Sequence, residues 1–187
     1  KSNRFDFHST PLEGLWMVQR KAIEDPRGFF SRFFCAEEFQ SLGLKKSIAQ
    51  INHTCTLKKG AVRGLHFQYA PYAEVKIISC LRGEVYDVAV DIRKNSATFL
   101  NWHGEILSET NQKSLFIPEG FAHGFQTLTE NCELIYLHSE AFQPQAEGAL
   151  HVGDPGIGIA WPISITEISE RDRSVPFIDS TFTGLFL

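Results

Sequence analysis

A chain of 187 residues suits one domain with a sizeable core. Its composition, 43% hydrophobic and 21% charged, is that of a soluble globular protein, and no apolar run approaches the ~20 residues of a membrane span. A formal net charge of −4 without a basic run argues against nucleic acid as a partner, so any bound anion must be met by local arginines. Residues 5–20 read as one or two strands with Leu15–Val18 as the apolar centre. Asp25-Pro26-Arg27-Gly28 is a turn, Phe29–Phe34 a short aromatic strand, and Ala36–Leu42 a helix closed by Gly43. Gln50–Thr54 is extended, Lys58-Lys59-Gly60 is a turn, and Arg63-Gly64-Leu65-His66-Phe67-Gln68 continues as β structure.

Glu74–Leu81 and Glu84–Ile92 around Arg82-Gly83 predict a hairpin. A two-residue loop sets Leu81 opposite Glu84, Lys76 opposite Ala89 and Ile78 opposite Asp87. Lys76, Ile78, Cys80, Val85, Asp87 and Ala89 then share one face, with Lys76 and Asp87 about 7–8 Å apart. A lysine and an aspartate among apolar neighbours suggest an interior that holds a polar ligand. Further strands are expected at Phe99–Leu107, Ser114–Ile117, Gly124–Leu128 and Glu133–His138, and the chain is less regular after Trp161-Pro162. Evenly spaced short strands indicate an all-β antiparallel barrel or sandwich with a few short helices, and residues 1–187 read as a single domain. Cys35, Cys55, Cys80 and Cys132 are scattered with no Cys-x-x-Cys pair, which points to reduced thiols in a cytoplasm and away from zinc. No signal-peptide pattern opens the sequence, which starts at Lys1.

Pro118-Glu119-Gly120-Phe121-Ala122-His123 resembles the second motif of the cupin jelly-roll and turns His123 inward. The first cupin motif needs His-x-His, whereas this chain reads His66-Phe67-Gln68. His66, Glu74 and His123 are the candidate ligands for a metal-dependent cupin, but Gln68 and the nearby Lys76 weaken that arrangement, and no metal is expected.

Arg63-Gly64-Leu65-His66-Phe67-Gln68, Lys76, Leu81–Arg93 and Ile117–Phe125 together resemble the dTDP-4-dehydrorhamnose 3,5-epimerase family. Asp154-Pro155, Ile159-Ala160-Trp161-Pro162 and Ser169-Glu170-Arg171-Asp172 extend the likeness, which runs from about Leu15 to Pro176. The resemblance implies a cupin-type jelly-roll, no cofactor, and a homodimer whose N-terminal strands can be exchanged between partners. The implied substrate is a nucleotide-linked 4-keto-6-deoxyhexose. Its C4 ketone acidifies the hydrogens at C3 and C5. Removing one gives an enolate, and a proton returned to the other face inverts the carbon.

By this resemblance His66 is the base and Asp172 the carboxylate that orients it, whereas a lone histidine reads by default as a structural core residue. Lys76 matches the lysine beside the C4 oxygen, where an ammonium stabilises the enolate. Taken alone, it reads as an ion pair with Asp87. Asp87 belongs to the same polar network. Tyr136 matches the proton-donating tyrosine. Phe142 stands where a second tyrosine often stacks on the nucleobase, and stacking needs only a π face. Arg63 is matched to the diphosphate. Arg27 matches a phosphate or nucleotide contact and Phe30 a base-contacting aromatic, and in the family these can come from the partner subunit. Gln50 and Asn52 match sugar contacts. His123, Glu147 and Arg171 match further contact positions, the last with arginine where lysine is common.

Arg32 stands where the family has a glutamate able to accept thymine N3–H. Cytosine N3 is an acceptor, so a CDP-linked sugar is the alternative to a dTDP-linked one. Relatives with the same residues include 3,5-, 3-only and 5-only epimerases. A non-catalytic sugar-nucleotide binding protein is the rival outside enzymes, and loss of the base, lysine or tyrosine is its expected sign.

Overall fold

Alternating apolar residues make strands the dominant regular structure, seen in a computed structural model that describes residues 4–187. β1 (Phe5–Ser9) and β2 (Trp16–Arg20) pair antiparallel, as do the short β3 (Ile23–Asp25) and β4 (Gly28–Phe30). A single helical turn, α1 (Ala36–Phe39), runs into a 3-10 turn at Gln40–Leu42 and ends at Gly43. Then follow β5 (Gln50–Thr56), β6 (Ala61–Gln68), β7 (Lys76–Arg82), β8 (Glu84–Asp91), β9 (Trp102–Ser108) and β10 (Lys113–Ile117). β11 (Phe121–Thr127), β12 (Cys132–His138), β13 (Glu147–Ala149), β14 (Glu167–Ile168) and α2 (Glu170–Arg173) complete the order.

The strands build two large sheets, β1-β2-β10-β7-β12-β5 and β13-β6-β11-β8-β9, with β14 alongside β6. Their inner faces meet in one core. Ile78, Cys80, Leu115 and Leu134 come from the first sheet, and Val85, Ala89 and Phe125 from the second. Burying a side chain such as Ile78 or Phe125 contributes about 1.5–3 kcal/mol. The architecture is therefore a jelly-roll sandwich of facing sheets rather than a closed barrel. The outer face of β8 is also covered. Val88 and Val90 pack under Leu150, Val152 and Leu185 of the C-terminal third.

The expected hairpin at Arg82-Gly83 does not form. β7 and β8 lie in different sheets, so Leu81 does not face Glu84. Lys76 pairs with Ile117 and His138, Ile78 with Leu115 and Tyr136, and Asp87 with Phe125 and Glu105. β7 ends at Arg82 and β8 starts at Glu84, leaving Gly83 alone as the corner. Its φ is +76°, and a Cβ there would lie 2.5 Å from Thr129 Oγ1, so only glycine turns this corner without strain. Each strand is apolar on both faces and takes neighbours on both sides. The predicted inward set is nonetheless real, because residues expected side by side face each other across the sandwich.

The aromatic strand at Phe29–Phe34 shrinks to Gly28–Phe30. Phe33 turns under the Arg20 guanidinium, 4.0 Å from ring centre to Cζ, and Phe34 packs on Phe39 with ring centres 5.2 Å apart. Phe29 and Phe30 stay exposed on the β3–β4 hairpin.

Candidate active site

A cavity of about 800 Å³ opens between the two sheets, within the size range of small-ligand sites. β6 and β11 form one wall with Arg63, His66 and His123, while β5, β7 and β12 form the other with Gln50, Asn52, Lys76, Tyr136 and His138. Phe142, Glu147, Arg171 and Asp172 also line it.

His66 and His123 are directly paired across β6 and β11, so their side chains share a face. The strands approach closely beside them. A Cβ on Gly64 would sit 2.6 Å from Gly124 Cα, and its φ of +126° also favours glycine. This lets Gly64 N–H donate to Asp172 Oδ2 at 3.3 Å. Asp172 is placed by α2, where the Ser169 hydroxyl caps the turn by accepting from Asp172 N–H.

Asp172 Oδ1 lies 2.8 Å from His66 Nε2. Burial raises the Asp172 carboxyl, but the His66 hydrogen bond and charge, with Gly64 N–H and Ser169, outweigh it and hold it down to about 2. An ionised carboxylate only accepts, so the proton of neutral His66 belongs on Nε2 and Nδ1 keeps its lone pair. Arg171 Nη2 also lies 2.9 Å from His66 Nε2, and for a given tautomer only one of the two contacts is a hydrogen bond. Arg171 is further held by Glu147 at 3.3 Å.

Behind this pair, His123 Nε2 is 2.7 Å from Asp87 Oδ1. Asp87 is wholly buried, and burial raises its carboxyl against the pull of His123 and Lys76. Tyr136 packs edge-on to His123 with ring centres 5.9 Å apart. Burial pushes its phenol up, with Thr54 and Arg63 opposing and the Asp87 charge reinforcing the rise. The phenol therefore keeps its proton at neutral pH. Lys76 Nζ donates to the His66 carbonyl at 3.1 Å and meets Glu74 Oε1 at 3.2 Å. Arg63 Nε donates to Thr56 Oγ1 at 2.9 Å. Gln50 donates to Asn52 at 3.1 Å and accepts from Phe142 N–H at 3.0 Å.

Arg27, Phe30 and Arg32 do not line the cavity. Arg27 and Phe30 ride the exposed β3–β4 hairpin, where Arg27 pairs with Asp25 at 2.6 Å. Arg32 pairs with Glu38 at 3.0 Å. Asp87 does not line the cavity and acts on it through His123, Lys76 and Tyr136. The three candidate metal ligands are tied to separate partners: His66 to Asp172, His123 to Asp87, and Glu74 to His138. No group of three or more His, Cys, Asp or Glu among the described residues fits a metal ion. The sequence reading missed His138. The signal for it was spacing, since positions two apart on a strand share a face and Tyr136 was already matched to the proton donor of the site.

Comparison with known proteins gives a consistent family. The family described as dTDP-4-dehydrorhamnose 3,5-epimerase matches residues 9–180. The dTDP-4-dehydrorhamnose 3,5-epimerase of Salmonella typhimurium is 43% identical over 172 residues, covering 91% of this chain and 93% of that one. The enzyme of the same name from Methanothermobacter thermautotrophicus is 40% identical over 173 residues, covering 91% and 92%. Among solved structures, dTDP-6-deoxy-D-glucose-3,5-epimerase from Legionella pneumophila Philadelphia 1, in complex with dTDP-4-keto-L-rhamnose, superposes with a TM-score of 0.91. It is 34% identical, and the match covers 98% of this chain and 99% of that one.

Proposed function

We propose, on the premise that this chain belongs to the dTDP-4-dehydrorhamnose 3,5-epimerase family, that His66, Lys76 and Tyr136 invert C3 and C5 of a dTDP-linked 4-keto-6-deoxyhexose. The chain is an isomerase that epimerises a nucleotide-linked 4-keto sugar. The assignment of roles rests on one observation above others. The His66–Asp172 pair, 2.8 Å apart, lines the same cavity as Lys76 and Tyr136, which come from the facing sheet.

In this reading His66 Nδ1 takes the proton from C5 or C3, and the electron pair moves into the C4 carbonyl. Asp172 holds the ring and stabilises the imidazolium. The Lys76 ammonium meets the charge that develops on the C4 oxygen. Tyr136, whose raised phenol is a proton donor, protonates carbon from the opposite side. Arg63 takes the diphosphate, Gln50 and Asn52 the sugar, and Phe142 the base. His123, Glu147 and Arg171 complete the pocket. No cofactor enters this scheme.

Solvent-deuterium exchange tests it. With dTDP-4-dehydro-6-deoxyglucose in D₂O, the C3 and C5 proton signals both disappear. Loss of one signal alone identifies a single-carbon epimerase, and loss of neither, with folded protein, refutes the enolate route. Tyr136→Phe is expected to keep exchange at the first carbon while product formation falls about 10²-fold. Equal loss of exchange and turnover would make Tyr136 part of the deprotonation instead.

The proposed assembly is a homodimer of single-domain chains in which Arg27 and Phe30 reach the partner's cavity. Their exposure on the β3–β4 hairpin supports this, since Phe30 is 61% exposed. Mixing inactive His66→Asn with inactive Arg27→Ala protein is expected to restore about a quarter of wild-type activity. Half of the reassorted dimers then carry one intact site. No recovery after exchange of subunits would place Arg27 outside the site. Thymine is the proposed base: the Legionella structure holds a dTDP sugar, and Arg32 is occupied by Glu38. No helix among the described residues is long and apolar enough to cross a membrane. The free cysteines favour a cytoplasmic location.

A further inference from the structure

Two buried side chains on the cavity wall, Glu74 and His138, have no part in the proposed chemistry. His138 lies directly across from Lys76 in the β12–β7 register, and Glu74 joins the two. One Glu74 oxygen meets Lys76 Nζ at 3.2 Å and the other meets His138 Nδ1 at 2.9 Å. Burial raises the Glu74 carboxyl, but the His138 hydrogen bond and the Lys76 charge outweigh it and hold it below its ordinary range. Glu74 is therefore an anion, and only about a tenth of the His138 side chain is exposed. The His138 ring is itself fixed. It stacks on Tyr136 at an interplanar angle of 3°, and its Nε2 lies 3.4 Å from Asn52 Nδ2.

A lysine ammonium is ordinarily a mobile point charge on a flexible stem, with three N–H donors. Here the His66 carbonyl takes one donor and Glu74 a second. Asp87 attracts the same ammonium but makes no hydrogen bond to it. One N–H is left for a ligand, and its direction is set by the other two. A lone carboxylate beside Lys76 would also weaken the field that the ammonium presents to substrate. Donation from His138 draws part of that negative charge away while keeping Glu74 in place.

We infer that Glu74 and His138 are positioning residues, a hydrogen-bonded clamp that aims the remaining Lys76 N–H at the C4 oxygen of the substrate. This rests on the proposed role of Lys76. It predicts an effect on kcat rather than on KM, because the clamp matters most as charge reaches that oxygen.

The test is steady-state kinetics of the full chain with dTDP-4-dehydro-6-deoxyglucose. Glu74→Met fills the space without accepting a hydrogen bond, and is expected to lower kcat about 10–100-fold with KM within about threefold. Glu74→Gln restores an acceptor for the ammonium and recovers most of that loss. His138→Phe keeps the ring on Tyr136, removes the donation to Glu74 together with the longer contact to Asn52, and lowers kcat about fivefold. In a Lys76→Met background, adding Glu74→Met costs less than about twofold more, because both act through one group. A full additional loss in that background, an unchanged kcat in Glu74→Met, or equal losses in the Met and Gln variants would each overturn the clamp. If Lys76→Met itself keeps its kcat, the role of Lys76 fails first and the clamp with it. If Lys76→Met is crippled and Glu74→Met is not, the clamp alone fails. Should Glu74→Met not fold by thermal melting, His138→Phe decides by the same comparisons with and without Lys76.

Discussion

Replacing His66 by asparagine is expected to lower kcat about 10²–10⁴-fold, the usual worth of a positioned base, with KM changed only a few-fold. The C3 and C5 hydrogens should cease to exchange with D₂O on the timescale of wild-type turnover. The fold should survive. The backbone of His66 pairs with His123 in β11 and Ala149 in β13, and neither pairing uses the imidazole. The side chain is 27% exposed, and an asparagine amide can still donate toward Asp172. Asp172 also keeps its bonds to Gly64 N–H and Ser169. A loss of activity with an unchanged melting temperature therefore reads as loss of the base. Exchange at the wild-type rate in His66→Asn would move the base elsewhere, and the other imidazoles on the cavity, His123 and His138, would have to be tried. His138 is the poorer of these, since both of its ring nitrogens are engaged, Nδ1 by Glu74 and Nε2 by Asn52.

What the sequence could say about this site depended on the kind of information each residue carries. Alternation assigns a side chain to a face but not a strand to a neighbour. Lys76, Ile78 and Cys80 were legible as inward, and so were Val85, Asp87 and Ala89, yet their placement in opposite sheets was not. That depends on a single corner residue, Gly83, and on apolar cover for both faces of β8. Aromatic content alone could not separate exposed Phe29 and Phe30 from Phe33 and Phe34, which turn inward against Arg20 and Phe39. The roles of His66, Lys76, Tyr136 and Asp172 came through likeness to a family, because a lone histidine or lysine has no local signature of chemistry. The Glu74–His138 bond spans 64 positions and joins β12 to the segment before β7. No short-range pattern announces such a pair, and only the strand register brings it together.

Lys76→Met should lower kcat about 10²–10³-fold, as removal of a preorganised donor from a developing oxyanion does. Methionine nearly preserves the volume of the stem, so the change subtracts charge more than packing. Lys76 is 6% exposed, and its ammonium sits where water cannot readily replace it. The loss should appear equally in turnover and in C5 and C3 exchange, because both require the enolate. That pattern separates it from Tyr136→Phe, in which exchange outlasts turnover. The variant also removes a positive charge that opposes the raised Asp87 carboxyl, whose buried Oδ2 has no hydrogen-bond partner among the described residues. The Asp87 carboxyl should then rise further, since Lys76 is one of the charges that holds it down. Lys76→Arg should not rescue activity. A planar guanidinium cannot reproduce three donors radiating from one atom, two of them already bound to His66 O and Glu74. Retention of kcat in Lys76→Met, with exchange intact, would mean that the enolate oxygen is stabilised by another group. Tyr136 and Arg63 would be the first donors to test among the cavity side chains assigned to substrate.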